Sequence, residues 1–160
     1  MRLCGRRNLF LNKTQVMVYF SLYGDDFPID NVTELLGINP TDSYKKGDTI
    51  ERKPNPNIIS TKVHYRKETN WELGTDYQES YDVKEQLNQI IRPLKNKAAL
   101  INQLKTDYNL ECHFEIVIII ENGDAPSLHF DMEQIEFANS IKAEFDIDLY
   151  ANPYVDPMED

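Results

Sequence analysis

Five consecutive β-branched residues, Ile116–Ile120, constrain the fold of this 160-residue chain more than any other feature. Successive side chains of a β-strand point to opposite faces, so an unbroken apolar run predicts a strand that is covered on both sides. The run is far shorter than the roughly 20 apolar residues that a membrane helix needs. We therefore expect a central strand of a sheet, packed against other material on each face, and no membrane association.

Alternating patterns predict further strands. The segment Thr14–Gly24 places four apolar side chains on one face, and residues 58–68 and 70–77 also have the composition of strands. The closing segment 145–150 alternates apolar residues, expected to point inward, with aspartates. Asn122-Gly123 is typical of a two-residue hairpin turn, which predicts that residues 126–130 return as a strand beside Ile116–Ile120.

Four helices are predicted from start signals and helical spacing. Asp30 is placed to cap a short helix that ends at Gly37. Pro93 interrupts an apolar stripe, and a proline inside a helix costs about 3 kcal/mol, so we expect two helices, 83–92 and 97–108. Asp131, with Gln134 three residues later, predicts a capping box. The predicted buried stripe of this last helix is Met132, Ile135, Ala138 and Ile141.

Together these patterns predict an α+β fold, a mainly antiparallel sheet of five or six strands with three to four helices packed against it. We expect a basic, flexible arm at residues 1–13, a single domain at 14–151, and a loose acidic tail at 152–160. No secretory signal is recognisable, so the expected compartment is the cytoplasm, where Cys4 and Cys112 remain thiols.

The charge of the chain is distributed unevenly. The net charge is −10, from 27 acidic and 17 basic residues, yet the last forty residues hold 11 acidic residues and only one basic residue, Lys142. The first 120 residues are neutral overall. Nucleic-acid affinity depends on neutralising phosphates with lysine and arginine, so we expect no nucleic-acid partner. An anionic surface instead favours a basic protein partner.

Two sets of residues are candidates for such an interface. Tyrosine and tryptophan bury a large area at low entropic cost, which makes them common at interface centres. The same residues also commonly border a core with their polar atoms in water, and the sequence leaves this alternative open. The acidic candidates are Glu133, Glu136, Glu144, Asp146 and Asp148; the aromatic candidates are Tyr23, Trp71 and Tyr150.

No catalytic set, cofactor site or metal site is predicted. With the expected hairpin, His113 and His129 fall on opposite faces or several residues out of register, so they cannot share an ion. His113 and Glu115 share a face at ~7 Å, which is too far for a direct hydrogen bond. Asp146 and Asp148 resemble a carboxylate pair for Mg²⁺, but alternation on a half-exposed strand explains them equally, and no phosphate-binding loop accompanies them.

Several stretches resemble a bacterial family known as domain of unknown function 4279. They are "YFSLYGDDFPIDNVTELLGINPT" with the following "KKGD", then "NWELG", and the closing "FDIDLY". The similarity runs from about Val16 to Ala151. It implies a compact α+β fold in a bacterial cytoplasmic protein, and it brings no activity and no functional residue with it.

Three functions are compatible with these observations. The first is a non-enzymatic interaction module, immunity-like or regulatory, that presents an acidic surface to a basic partner. The second is a small metal-dependent hydrolase that uses the carboxylates of Asp146 and Asp148. The third is a structural domain that associates with copies of itself.

Overall fold

The computed structural model describes residues 12–51 and 62–153, which form an α+β fold as predicted. The strands are β1 (Gln15–Gly24), β2 (Asp42–Tyr44), β3 (Thr69–Gly74), β4 (Gln78–Glu79), β5 (Glu111–Ile120) and β6 (Glu144–Ala151). The helices are α1 (Ile29–Leu36), α2 (Val83–Leu94), α3 (Ala98–Tyr108) and α4 (Met132–Ser140), with a short 3-10 helix, Lys95–Lys97, between α2 and α3. No helix in the described ranges is both long enough and apolar enough to cross a bilayer.

The six strands form one sheet in the order β2-β3-β1-β5-β6, and β4 pairs with one end of β1. Every pairing is antiparallel except that of β5 with β6, which is parallel. The prediction of a mainly antiparallel sheet is therefore confirmed. β5 lies between β1 and β6, as its apolar run requires.

One face of the sheet carries the hydrophobic core. The four predicted inward residues of β1 are completely buried, and alternate residues of β5 continue the same surface: Val16, Val18, Phe20 and Leu22, then Phe114, Ile116 and Ile118. All four helices contribute buried apolar residues to this cluster. The expectation of packed material on both faces is wrong for the described helices, because they all cover the same face.

Pro93 divides the helical segment in the manner predicted. The side chain of Asp82 accepts a hydrogen bond from the Lys84 backbone N–H at 3.1 Å, which starts α2. Pro93 lies in the last turn of α2, where the helix passes into the 3-10 segment before α3. A proline near the end of a helix removes one hydrogen bond at a place where the regular pattern is already ending.

Two details of the predicted helices are wrong. Pro28, not Asp30, occupies the position before α1, and Asp30 lies within the first turn. In α4 the capping box at Asp131 and Gln134 is confirmed, but the buried stripe differs from the prediction. Met132 and Ile135 are 65% and 45% exposed, whereas Gln134, Phe137, Ala138 and Ile141 are buried.

The predicted hairpin after β5 does not form. Asn122 and Gly123 do turn the chain with positive φ angles, and the Asp124 N–H bonds to the Glu121 carbonyl at 3.0 Å. Residues 126–130 nevertheless form no strand, because β1 and β6 already occupy both edges of β5. The chain instead passes through α4 before it reaches β6, and a connecting helix brings neighbouring strands into parallel alignment.

Other predictions fall wholly or partly outside the described residues. The arm at 1–13 lies outside them except for residues 12 and 13, and the tail at 152–160 lies outside them after residue 153. Of the strand expected at 58–68, only residues 62–68 are described, and they form one isolated bridge, between Tyr65 and Thr49.

Candidate functional site on the open face of the sheet

The face of the sheet opposite the core, hereafter the open face, bears a concentration of acidic and tyrosine side chains. No helix of the described ranges packs against it. Its residues follow from the strand registers, since directly paired residues point to the same side. They include Tyr19, Tyr23, Glu72, Glu111, His113, Glu115, Glu144, Asp146, Asp148 and Tyr150.

Glu115 lies at the centre of this face and is only 8% exposed. In the register, Tyr19 of β1 stands on one side of it and Asp146 of β6 on the other. The distance from its Oε2 to His113 Nε2 is 3.9 Å. The two groups are therefore closer than the ~7 Å expected from strand geometry, but a separation of 3.9 Å is still too long for a direct hydrogen bond, as predicted.

The carboxyl group of Glu115 titrates far from its usual range. Burial, followed by the negative charges of Asp148 and Asp146, raises its pKa from 4.5 to about 7. Hydrogen bonding between the protonated carboxyl group and Asp148 contributes to the same rise in pKa. Near neutral pH, therefore, Glu115 is protonated in a large fraction of molecules.

Two tyrosines border the site and stay neutral. Burial, followed by the negative charge of Glu115, raises the pKa of Tyr19 well above the ordinary range. Burial and then Glu111 raise the pKa of Tyr23 as well. The edge-to-face contacts of these rings with His113, at centroid distances of 6.5 Å for Tyr19 and 5.2 Å for Tyr23, hold the imidazole in place.

The predicted acidic residues do not form one surface. Glu144, Asp146 and Asp148 lie together on the open face, along β6. Glu133 and Glu136 lie on α4, which packs against the core face through Phe137. Glu133 is also partly neutralised by an exposed ion pair with Lys95 at 3.5 Å. The terminal quarter of the chain therefore contributes three, not five, of the predicted residues to a common surface.

The aromatic candidates are also divided. Tyr23 and Tyr150 both lie on the open face, but they pair with β5 positions eight residues apart, which is ~26 Å at the rise of a strand. Trp71 is completely buried in the core, where its indole N–H donates a hydrogen bond to Thr33 Oγ1 at 3.0 Å. The prediction that Trp71 serves as an interface residue is contradicted by this position.

The open face also holds residues that the sequence reasoning did not select. Glu115, Tyr19 and Glu72 join the acidic and aromatic set, and burial, followed by Asp42, raises the pKa of Glu72. The available signal was the alternation of His113 with Glu115 and of Asp146 with Asp148. Each pattern is ordinary alone, and only the parallel pairing of β5 with β6 brings the two together.

Ligand atoms of His113, Glu115 and Asp146 all lie within 4.8 Å of one another. An imidazole and two carboxylates at such distances are a donor set that divalent cations accept.

Cys112, the neighbour of His113, points to the core face, where its thiol donates a hydrogen bond to the Ile141 carbonyl and burial raises the pKa of the thiol. A cysteine–histidine nucleophile is therefore absent at this position, as expected for adjacent residues of a strand.

Comparison with known proteins identifies the family of the chain. The family model described as a domain of unknown function, DUF4279, matches residues 14–152. The chain belongs to the DUF4279 family. Searches of curated proteins and of solved structures found no match.

Proposed function

We propose that this DUF4279 protein is a non-catalytic binding module that docks a basic, extended segment of a partner protein along β6. The observation that carries the proposal is the position of β6 at the edge of the sheet, with Glu144, Asp146 and Asp148 in a row on one face. An edge strand exposes unpaired backbone groups that an incoming strand can pair with.

The side chains of β6 define what such a segment would contain. Within the described ranges, none of the three carboxylates forms an ion pair with lysine or arginine. On the opposite side of the strand Ile147 and Leu149 are 39% and 57% exposed. A complementary strand would therefore alternate basic residues, facing the carboxylates, with apolar residues facing Ile147 and Leu149.

Charge argues against self-association through the same edge. A two-fold dimer with a continuous sheet places the same face of both copies on one side. The row Glu144, Asp146 and Asp148 of one copy would then lie opposite the identical row of the other, and like charges directly opposite each other are destabilising. A basic partner removes this repulsion, which favours the interaction module over the self-associating domain.

The test uses a peptide of alternating lysine and valine, about as long as β6, and the same peptide with glutamate in place of lysine. Fluorescence anisotropy of the labelled peptides with the full chain measures affinity. We expect the lysine peptide to bind, to weaken between about 25 and 300 mM salt, and to lose roughly tenfold or more in affinity for the Asp146→Asn/Asp148→Asn double variant.

The matched control changes two exposed carboxylates that lie on helices, Glu34→Gln and Glu136→Gln. This variant has the same change in net charge and should bind the lysine peptide like the natural chain. Equal binding of the glutamate peptide, or equal loss in both double variants, would show that β6 is not the docking strand.

As part of the proposal, we assign the module to a bacterial cytoplasm and to an immunity-like or regulatory role.

A metal-dependent hydrolase is the second candidate, because ligand atoms of His113, Glu115 and Asp146 lie within 4.8 Å of one another. Asp148 would then complete the acidic group around a metal-activated water. Turnover of p-nitrophenyl phosphate by the protein with Mn²⁺, above the rate with Mn²⁺ alone and abolished by Asp148→Asn, is the expected result for a hydrolase. A rate equal to that of the ion alone would leave the binding module as the better explanation.

A further inference from the structure

The strongest unexplained feature of the open face is a buried acid without a basic partner. Glu115 is 8% exposed, and the charged groups that act on it most are Asp148 and Asp146, both acidic. In the described ranges no lysine or arginine forms an ion pair with it, and His113 approaches only to 3.9 Å. Buried carboxylates are normally balanced by a cation or by several hydrogen-bond donors.

The groups around Glu115 come from two strands in fixed register. His113 and Glu115 are two residues apart on β5, and Asp146 is the residue of β6 paired with Glu115. Their ligand atoms lie within 4.8 Å of one another. Residues on paired strands of a sheet hold such an arrangement more firmly than residues on loops do.

We propose that His113, Glu115 and Asp146 bind one divalent transition-metal cation. Metal–ligand distances are ~2.0–2.2 Å for nitrogen and carboxylate donors, so the ligand atoms must approach one another by about 1 Å on binding. Asp146 is an exposed side chain that is free to make this adjustment. The rings of Tyr19 and Tyr23 already hold the imidazole of His113.

The donor set selects among ions. One imidazole with carboxylates suits Zn²⁺ and Mn²⁺, and affinity for such mixed sites rises toward Zn²⁺. Mg²⁺ prefers oxygen donors and retains several waters, and Ca²⁺ needs six to eight oxygen ligands, so both should bind more weakly.

Isothermal titration calorimetry of the full chain with ZnCl2, MnCl2 and MgCl2 tests this proposal. We expect one Zn²⁺ per chain, weaker Mn²⁺ binding, and the weakest binding for Mg²⁺. His113→Ala and Asp146→Asn should each lower the Zn²⁺ affinity roughly tenfold or more. The matched controls are His129→Ala, an exposed histidine outside the cluster, and Glu111→Gln, an exposed acid of the same strand and face.

Several results would overturn the proposal: no Zn²⁺ binding by the natural chain, full affinity retained in His113→Ala or Asp146→Asn, or an equal loss in His129→Ala. Thermal unfolding without metal identifies a variant that fails to fold, and His113→Gln then replaces His113→Ala. The metal site does not rest on the proposed docking strand. His113→Ala leaves the carboxylates of β6 intact, so lysine-peptide binding and metal binding can fail separately.

Discussion

Glu115 and Asp146 are paired across the parallel strands β5 and β6, the first nearly buried and the second exposed. This pairing brings the alternating residues His113 and Glu115 of β5 beside Asp146 and Asp148 of β6. The negative charges of both aspartates act on Glu115. The carboxylates of the open face therefore repel one another, and a bound cation or a basic segment would relieve this repulsion.

The titration of Glu115 should make stability depend on pH in metal-free protein kept with a chelator. Its pKa is raised from 4.5 to about 7 in the folded state, so between these values the folded chain binds more protons than the unfolded chain. The free energy of unfolding should therefore fall as pH rises from 5 to 8, by about 1–2 kcal/mol after allowance for solvent screening. The titratable groups facing it are Tyr19, His113, Asp146 and Asp148.

Urea denaturation at several pH values, followed by the fluorescence of the single tryptophan, Trp71, measures this dependence. Glu115→Gln should be more stable than the natural chain at pH 8 and should have a flatter profile. Glu111→Gln, on the same strand, should retain the natural profile. If the free energy of unfolding changed with pH equally in Glu115→Gln and in the natural chain, Glu115 would not be the group responsible.

The hydrogen bond between Trp71 and Thr33 should contribute measurably to stability. Thr33→Val keeps the shape of the side chain but leaves the buried indole N–H without its acceptor, which should cost about 1–3 kcal/mol. In a Trp71→Phe background, followed by circular dichroism, the same change should cost much less. Thr106→Val, at an exposed position of α3, should be within about 0.5 kcal/mol of the natural chain. Additive losses in the double variant would refute the coupling.

Gly74 should be essential for the position of Tyr19. A Cβ atom at residue 74 would lie 2.9 Å from the Cβ of Tyr19, which is fixed to the backbone of the paired strand. Gly74→Ala should therefore destabilise the fold by about 1–3 kcal/mol and move the Tyr19 ring away from His113. At Gly24 the new Cβ would meet Leu110 Cδ2, the far end of a flexible side chain, so Gly24→Ala should cost less. A lower denaturation midpoint for Gly24→Ala than for Gly74→Ala would contradict this prediction.

The two sides of α4 should respond differently to truncation. Phe137 is buried and contacts Phe114 edge-to-face, so Phe137→Ala should cost about 3–5 kcal/mol. Ile135 is 45% exposed, and Ile135→Ala should cost less than about 1 kcal/mol. Thermal and urea unfolding of both variants provide the comparison. A larger loss at Ile135 than at Phe137 would support the helix orientation predicted from sequence spacing.

Several features that depend on near neighbours were predicted correctly from the sequence, although the cap of α1 and the buried stripe of α4 were not. The alternation of β1, the apolar stripe of α2 and the capping box at Asp131 and Gln134 are all present in the structure. Each depends on side chains within about four residues, where the period of a helix or strand and the bonding of its first turn decide the outcome. The division of the helical segment at Pro93 likewise depends on residues close to the proline in the sequence.

Pairings between distant segments were decided only by the tertiary structure. The turn at Asn122-Gly123 forms, but no edge of β5 remains for a returning strand, and β6 takes that edge through α4. The burial of Trp71 depends on the pairing of β3 with β1, and the meeting of Glu115 with Asp146 depends on the pairing of β5 with β6. Strand partners compete for a limited number of edges, and that competition involves the whole chain, so no local pattern of residues determines its result.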